Sequence, residues 1–155
     1  MSVYDNKISN YGFRFVEKLL YDMKKHDPAV RELEAELAKV LEAMNDMFPL
    51  RASTIDDMPH GTGVSSPTEN FAIKRADNMQ VKFLRNRIEE MNRHQQAINT
   101  AMEYLTDTEK LFIKLRYDME RTPQSCWKEM HIEKSRWYEL RQEIIQKVAG
   151  YLGIY

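Results

Sequence analysis

From Ser66 to Leu105 the chain carries one helical pattern without a break, and this run restricts the fold more than any other stretch. Ser66-Pro67-Thr68-Glu69 is a capping box with proline in the first turn. The serine hydroxyl suits an orphan N–H, the glutamate reaches back, and proline has no N–H to lose. Leu84, Ile88, Met91, Gln95, Ile98, Met102 and Leu105 then recur at steps of four and three, a heptad seam. At 1.5 Å per residue such a helix reaches about 60 Å, longer than a compact domain of this size needs. It therefore requires a partner along its length: an earlier helix folding back, the same helix of a second subunit, or both. Gln95 on the seam reads either as a tolerated polar residue near solvent or as a register-setting contact across a dimer. His94, beside it but off the seam, reads as solvated.

The rest of the chain is equally rich in helix formers. Gly and Pro number 5 each, Met 10, and charged residues make up 30%, which favours helices over turns and strands and predicts an all-α fold. From Tyr11, the residues Phe13, Val16, Leu19, Leu20 and Met23 mark a first helix. His26-Asp27-Pro28 then predicts a stop and a new start, with Asp27 as N-cap. Val30, Leu33, Leu37, Val40, Met44 and Met47 give the second helix its own heptad seam. Pro49 ends it and opens a stretch of turn residues whose HGTG lacks the lysine and hydroxyl of a phosphate-binding loop, so it reads as a linker.

Beyond the long helix, Thr106-Asp107-Thr108-Glu109 is a second capping box, and Leu111, Phe112, Leu115 and Tyr117 are the expected buried side of the helix it opens. Thr122-Pro123 is a further helix start, with Cys126, Trp127, Met130 and Ile132 on the apolar side of a short helix ending near His131. Ser135 precedes a longer apolar series: Trp137, Leu140, Ile144, Val148, Tyr151 and Leu152. Gly150 and Gly153 suit the end of that helix. Two helices on so short a turn predict a helix-turn-helix, whose second helix normally enters the DNA major groove. The predicted organisation is a helical hairpin over 1–48, a linker over 49–65, an oligomerisation helix over 66–105 and the helix-turn-helix domain over 106–155.

Charge is a weaker guide. The net charge is −1, so any affinity for nucleic acid must come from local clustering. The single cysteine, Cys126, reads as a structural thiol, and no apolar run approaches the ~20 residues of a membrane span. The expectation is an intracellular, soluble protein that does not engage membranes. His26, His60, His94 and His131 lie far apart without metal-ligand spacing, and no catalytic grouping is visible. No enzyme activity, metal or cofactor is expected.

Leu105–Tyr117, LTDTEKLFIKLRY, followed by the helix-turn-helix, resembles the core of sigma factor region 4, a promoter-reading module that contacts RNA polymerase. With MPHGTGVSSPTENFAIKRAD upstream (Met58–Asp77), the chain resembles the small phage late-gene transcriptional regulators of the RinA and ArpU type over roughly residues 50–150. It departs from the common helix-turn-helix pattern at Trp127, where a small residue is usual, and at His131, where glycine often makes the turn. The resemblance implies an activator of phage late genes, binding double-stranded promoter or operator DNA, touching host RNA polymerase, and assembling as a homodimer or higher homo-oligomer. An alternative is a small terminase-like packaging or other phage assembly protein. If the second helix reads bases, Glu133, Lys134, Arg136, Tyr138 and Arg141 are the expected base contacts, and Arg121, Thr122 and Lys128 the expected phosphate contacts. Leu84, Ile88, Met91, Gln95, Ile98 and Met102 are the expected oligomerisation residues.

Overall fold

The computed structural model describes residues 8–47 and 67–155, which form six α-helices and no strand: α1 (Asn10–Asp22), α2 (His26–Met47), α3 (Pro67–Tyr104), α4 (Asp107–Ile113), α5 (Pro123–Glu129) and α6 (Lys134–Leu152). The fold is all-α. The expected linker, its HGTG and the Ser66 cap lie outside the described residues. The stop and new start expected at His26-Asp27-Pro28 are present: α1 ends at Asp22, a 3-10 turn, Met23–Lys25, follows, and α2 begins at His26, so that Asp27, expected as the N-cap, lies inside α2. Pro28 has no N–H to give the Lys24 carbonyl, and the tighter turn just before it spares the helix that missing bond. Asp27 turns its carboxylate to the His26 ring, 2.9 Å away.

The chain divides into two compact units, Met1–Asp27 with Met91–Tyr155, and Pro28–Glu90. This differs from the hairpin expected over 1–48, because α1 packs on α6 and shares its core. In that first unit Val16 and Leu20 of α1, Ile98 and Ala101 of α3, Phe112 and Ile113 of α4, Cys126 of α5 and six residues of α6 from Trp137 to Ala149 form one apolar cluster. Gly12 belongs to the same arrangement: a methyl group there would lie 2.9 Å from Ile154 Cγ2, so the C-terminal residues close against α1 where the backbone is bare. In the second unit Val30, Val81 and Leu84 are buried, while Phe83 is exposed.

The expected seam is thus split between two surroundings. Leu84 is buried in the second unit and Ile98 in the core of the first, against which Met102 also packs. Ile88, Met91 and Gln95 are half-buried, and the Gln95 amide donates to Asn99 on its own helix. His94, expected in solvent, is half-buried and meets the Phe15 ring edge-on at 5.8 Å.

The turn from α3 into α4 follows its capping box closely. Thr106 N–H donates to Glu109 Oε2 at 2.9 Å and Glu109 N–H donates to Thr106 Oγ1 at 3.3 Å. Lys147 of α6 then closes on the same carboxylate, whose residue is only 4% exposed. Burial raises the pKa of Glu109, but the Lys147 ammonium and the Thr106 N–H outweigh it and hold the carboxyl below its ordinary range. A depressed folded-state pKa stabilises above the unfolded value, and that contribution disappears as pH falls through the folded one. Glu109→Gln is therefore expected to cost about 1–2 kcal/mol at neutral pH. The gap in urea midpoint between variant and wild type should close on acidification. A gap unchanged from neutral pH to below the carboxylate range would rule this assignment out.

The buried face of α4 is Glu109, Phe112 and Ile113, an i, i+3, i+4 set, which leaves Leu111, expected inside, 41% exposed. A π-helical turn, Lys114–Asp118, follows and carries Leu115 and Tyr117 into the core.

Candidate nucleic-acid interface

The segment from Thr122 to Arg141 is built by local rules visible in its residues. Thr122 caps α5, its hydroxyl accepting from Ser125 N–H at 3.3 Å, and Pro123 occupies the first turn. The helix ends by a left-handed residue. His131 has φ 55°, its N–H donates to the Lys128 carbonyl, and Ile132 N–H reaches back to the Trp127 carbonyl at 3.1 Å. These are the paired bonds of a Schellman ending, in which glycine usually takes the left-handed place. Histidine tolerates that region better than most side chains, and its ring is free to lie outside, since His131 is exposed. Ile132 and Trp127 both pack on the core, supplying the apolar contact such an ending prefers.

α6 starts at Lys134, with Glu133 as its N-cap residue, one position before the Ser135 start that the sequence suggests. Its inner face is unambiguous. Trp137 is 1% exposed, stacks on Phe112 at 4.9 Å between ring centroids and meets Trp127 edge-on at 6.2 Å. Trp127 stands where a small residue is usual. It lies half-buried against the edge of Trp137, and Cys126 beside it takes the fully buried position. Burial raises the pKa of the Cys126 thiol, as expected of a packing cysteine.

The outer face of α6 presents Glu133, Lys134, Arg136 and Tyr138, all exposed. Arg136 is bridged to Glu143 at 2.9 Å and to Glu139 at 3.3 Å along the helix. These are exposed pairs that a stronger anionic partner can displace. Lys134 and Lys128 have no carboxylate partner among the described residues. Arg121 pairs with Glu129 on α5. Of the eight expected contacts, seven lie in the segment from Arg121 to Tyr138 and keep exposed or half-exposed side chains.

No family model, curated protein or solved structure matches this chain.

Arg141 is the residue that the geometry moves away from this face. Its Nε and Nη2 donate to the two oxygens of Glu17 on α1, at 2.8 and 2.7 Å, and its guanidinium lies over the Phe13 ring at 5.0 Å. Tyr117 OH donates to the same carboxylate at 3.1 Å. Burial first, then the negative charge of Glu17, pushes the Tyr117 pKa well up, so the phenol stays a donor. A guanidinium held by a fork of two bonds in a half-buried site is committed to the fold, which corrects its expected place among the base contacts. Phe13 and Glu17 are the residues that sequence reasoning missed. They are separated from Arg141 by more than a hundred positions, and their own spacing in α1 marks nothing but an amphipathic helix.

Among the described residues, no three or more His, Cys, Asp or Glu side chains gather in a way that could hold a metal ion. No helix there is long and apolar enough to cross a membrane.

Proposed function

We propose that this chain is a sequence-specific regulator of transcription that binds double-stranded DNA through α5 and α6, an activator of the phage late-gene type acting as a dimer. The observation that carries the reading is the left-handed turn at His131. It joins a short helix to a longer one whose inner side is locked by Trp137 and whose first turns offer Lys134, Arg136 and Tyr138 to solvent. In this reading Arg136 and Lys134 approach guanine acceptors, Glu133 accepts from cytosine and Tyr138 packs on a thymine methyl or sugar. Lys128, Arg121 and the backbone at Thr122 face phosphates, which place the protein without reading sequence. With a net charge of −1, affinity depends on this local surface and falls steeply with salt.

Polarisation measurements on labelled late-promoter fragments across a salt series test the reading. Arg136→Ala is expected to relax discrimination between cognate and scrambled DNA about tenfold, whereas Lys128→Ala weakens all sequences alike and shallows the salt slope by about one. If the two variants behave identically, the division into base and phosphate contacts is wrong. Absence of any salt-sensitive, sequence-preferring binding would remove the reading altogether. Light scattering supplies the second arm: a dimer agrees with paired half-sites, and a ring of many subunits would point to packaging instead.

A further inference from the structure

We infer that an apolar groove in the first unit, between the end of α1, α3, and α4 with its π-helical turn, docks an acidic amphipathic helix of a partner protein. The groove has a cavity volume of about 290 Å³, room for one or two large apolar side chains. Its floor is the core itself: Leu20, Ile113 and Tyr117 are each no more than 4% exposed yet line it. Met23 and Met102 form its sides, both half-buried, and unbranched thioether chains can re-pack around anchors of different shape.

Charge selects the occupant. Three lysines border the groove, with Asp118 as the acidic residue among the lining side chains. Lys24 is already committed, donating to the Asp118 carbonyl at 3.0 Å and pairing with Glu120 at 3.0 Å. Lys110 and Lys114 have no carboxylate partner among the described residues. They stand four positions apart, one helical turn, along the groove's edge. Two ammonium groups at that spacing complement two carboxylates one turn apart on a facing helix, with an apolar residue between them entering the groove. A fatty acid brings one carboxylate and satisfies one lysine. None of these residues belongs to the proposed DNA face, so this inference stands apart from that reading.

The test uses the full chain and a fluorescein-labelled helical peptide bearing a leucine stripe flanked by glutamates one turn apart. Saturable binding is expected, lost when the leucines become serine and weakened about tenfold when the glutamates become lysine. The double variant Lys110→Glu with Lys114→Glu should reverse the preference between the acidic and basic peptides. Both substitutions sit at the rim, and an unchanged far-UV circular dichroism spectrum and urea midpoint will show that the fold survives. Three results overturn the proposal: no saturable binding of the acidic peptide, binding indifferent to the charge reversal, or binding of decanoate with none of the peptide.

Discussion

Replacing Trp137 with alanine is expected to remove about 3–5 kcal/mol of folding free energy, a large part of the ~5–15 kcal/mol that holds a domain together. The indole is 1% exposed and lies between Phe112, Trp127 and Tyr138, so its loss leaves a void that three other aromatic rings must close. The loss is moderated at one atom. Trp137 Nε1 is buried and has no hydrogen-bond partner among the described residues, so the native side chain already carries a desolvation cost. Trp137→Phe removes that orphan donor along with part of the ring, and should cost clearly less than alanine. Trp127 remains in both variants as a fluorescent reporter in urea titrations. Tyr138→Ala, one position along but 41% exposed, should cost no more than about 1 kcal/mol. An alanine variant at 137 as stable as the one at 138 would show that α6 is not held by this ring.

The contrast between these neighbours is legible in the sequence, because an apolar period of three and four by itself separates the two faces of α6. The same holds for the Thr106–Glu109 box, the Thr122-Pro123 start and the left-handed turn at His131. Each depends on backbone groups within a few residues, and short-range chemistry leaves a short-range signature. Other features depend on distant partners. Leu111 fits the apolar pattern of α4 as well as Ile113 does, and only the packing of α4 on the core decides that Ile113 goes inside. Asp27-Pro28 carries the signature of a helix start, yet α2 begins at His26 after a 3-10 turn, and Asp27 lies inside the helix rather than capping it. Arg141 has the exposure pattern of a reading residue when α6 is drawn alone. Glu17 changes its role from 124 positions away, and no spacing rule connects the two.

That reassignment makes the second large effect predictable. Glu17 and Arg141 keep 15% and 28% of their side chains exposed, a site too enclosed for water to replace either partner fully. Removing one leaves the other partly buried without its counter-charge, and Glu17→Ala or Arg141→Ala is expected to cost about 2–3 kcal/mol. The Glu17 variant also strips Tyr117 OH of its acceptor, so it should be at least as damaging as the Arg141 variant. The two losses will not add. Once either partner is gone the second substitution removes a group that no longer has its bond, and the double variant should fall well short of the sum of the single costs. Measured as a double-mutant cycle in urea, a coupling near zero would show that the fork does not join α1 to α6. DNA binding then separates structure from recognition. If Arg141 serves the fold, Arg141→Ala and Glu17→Ala weaken cognate and scrambled DNA in the same proportion, because both loosen α6 without touching its outer face. If Arg141→Ala alone erases base preference while Glu17→Ala preserves it, the guanidinium must leave Glu17 to reach the groove, and α1 would be its resting place rather than its anchor.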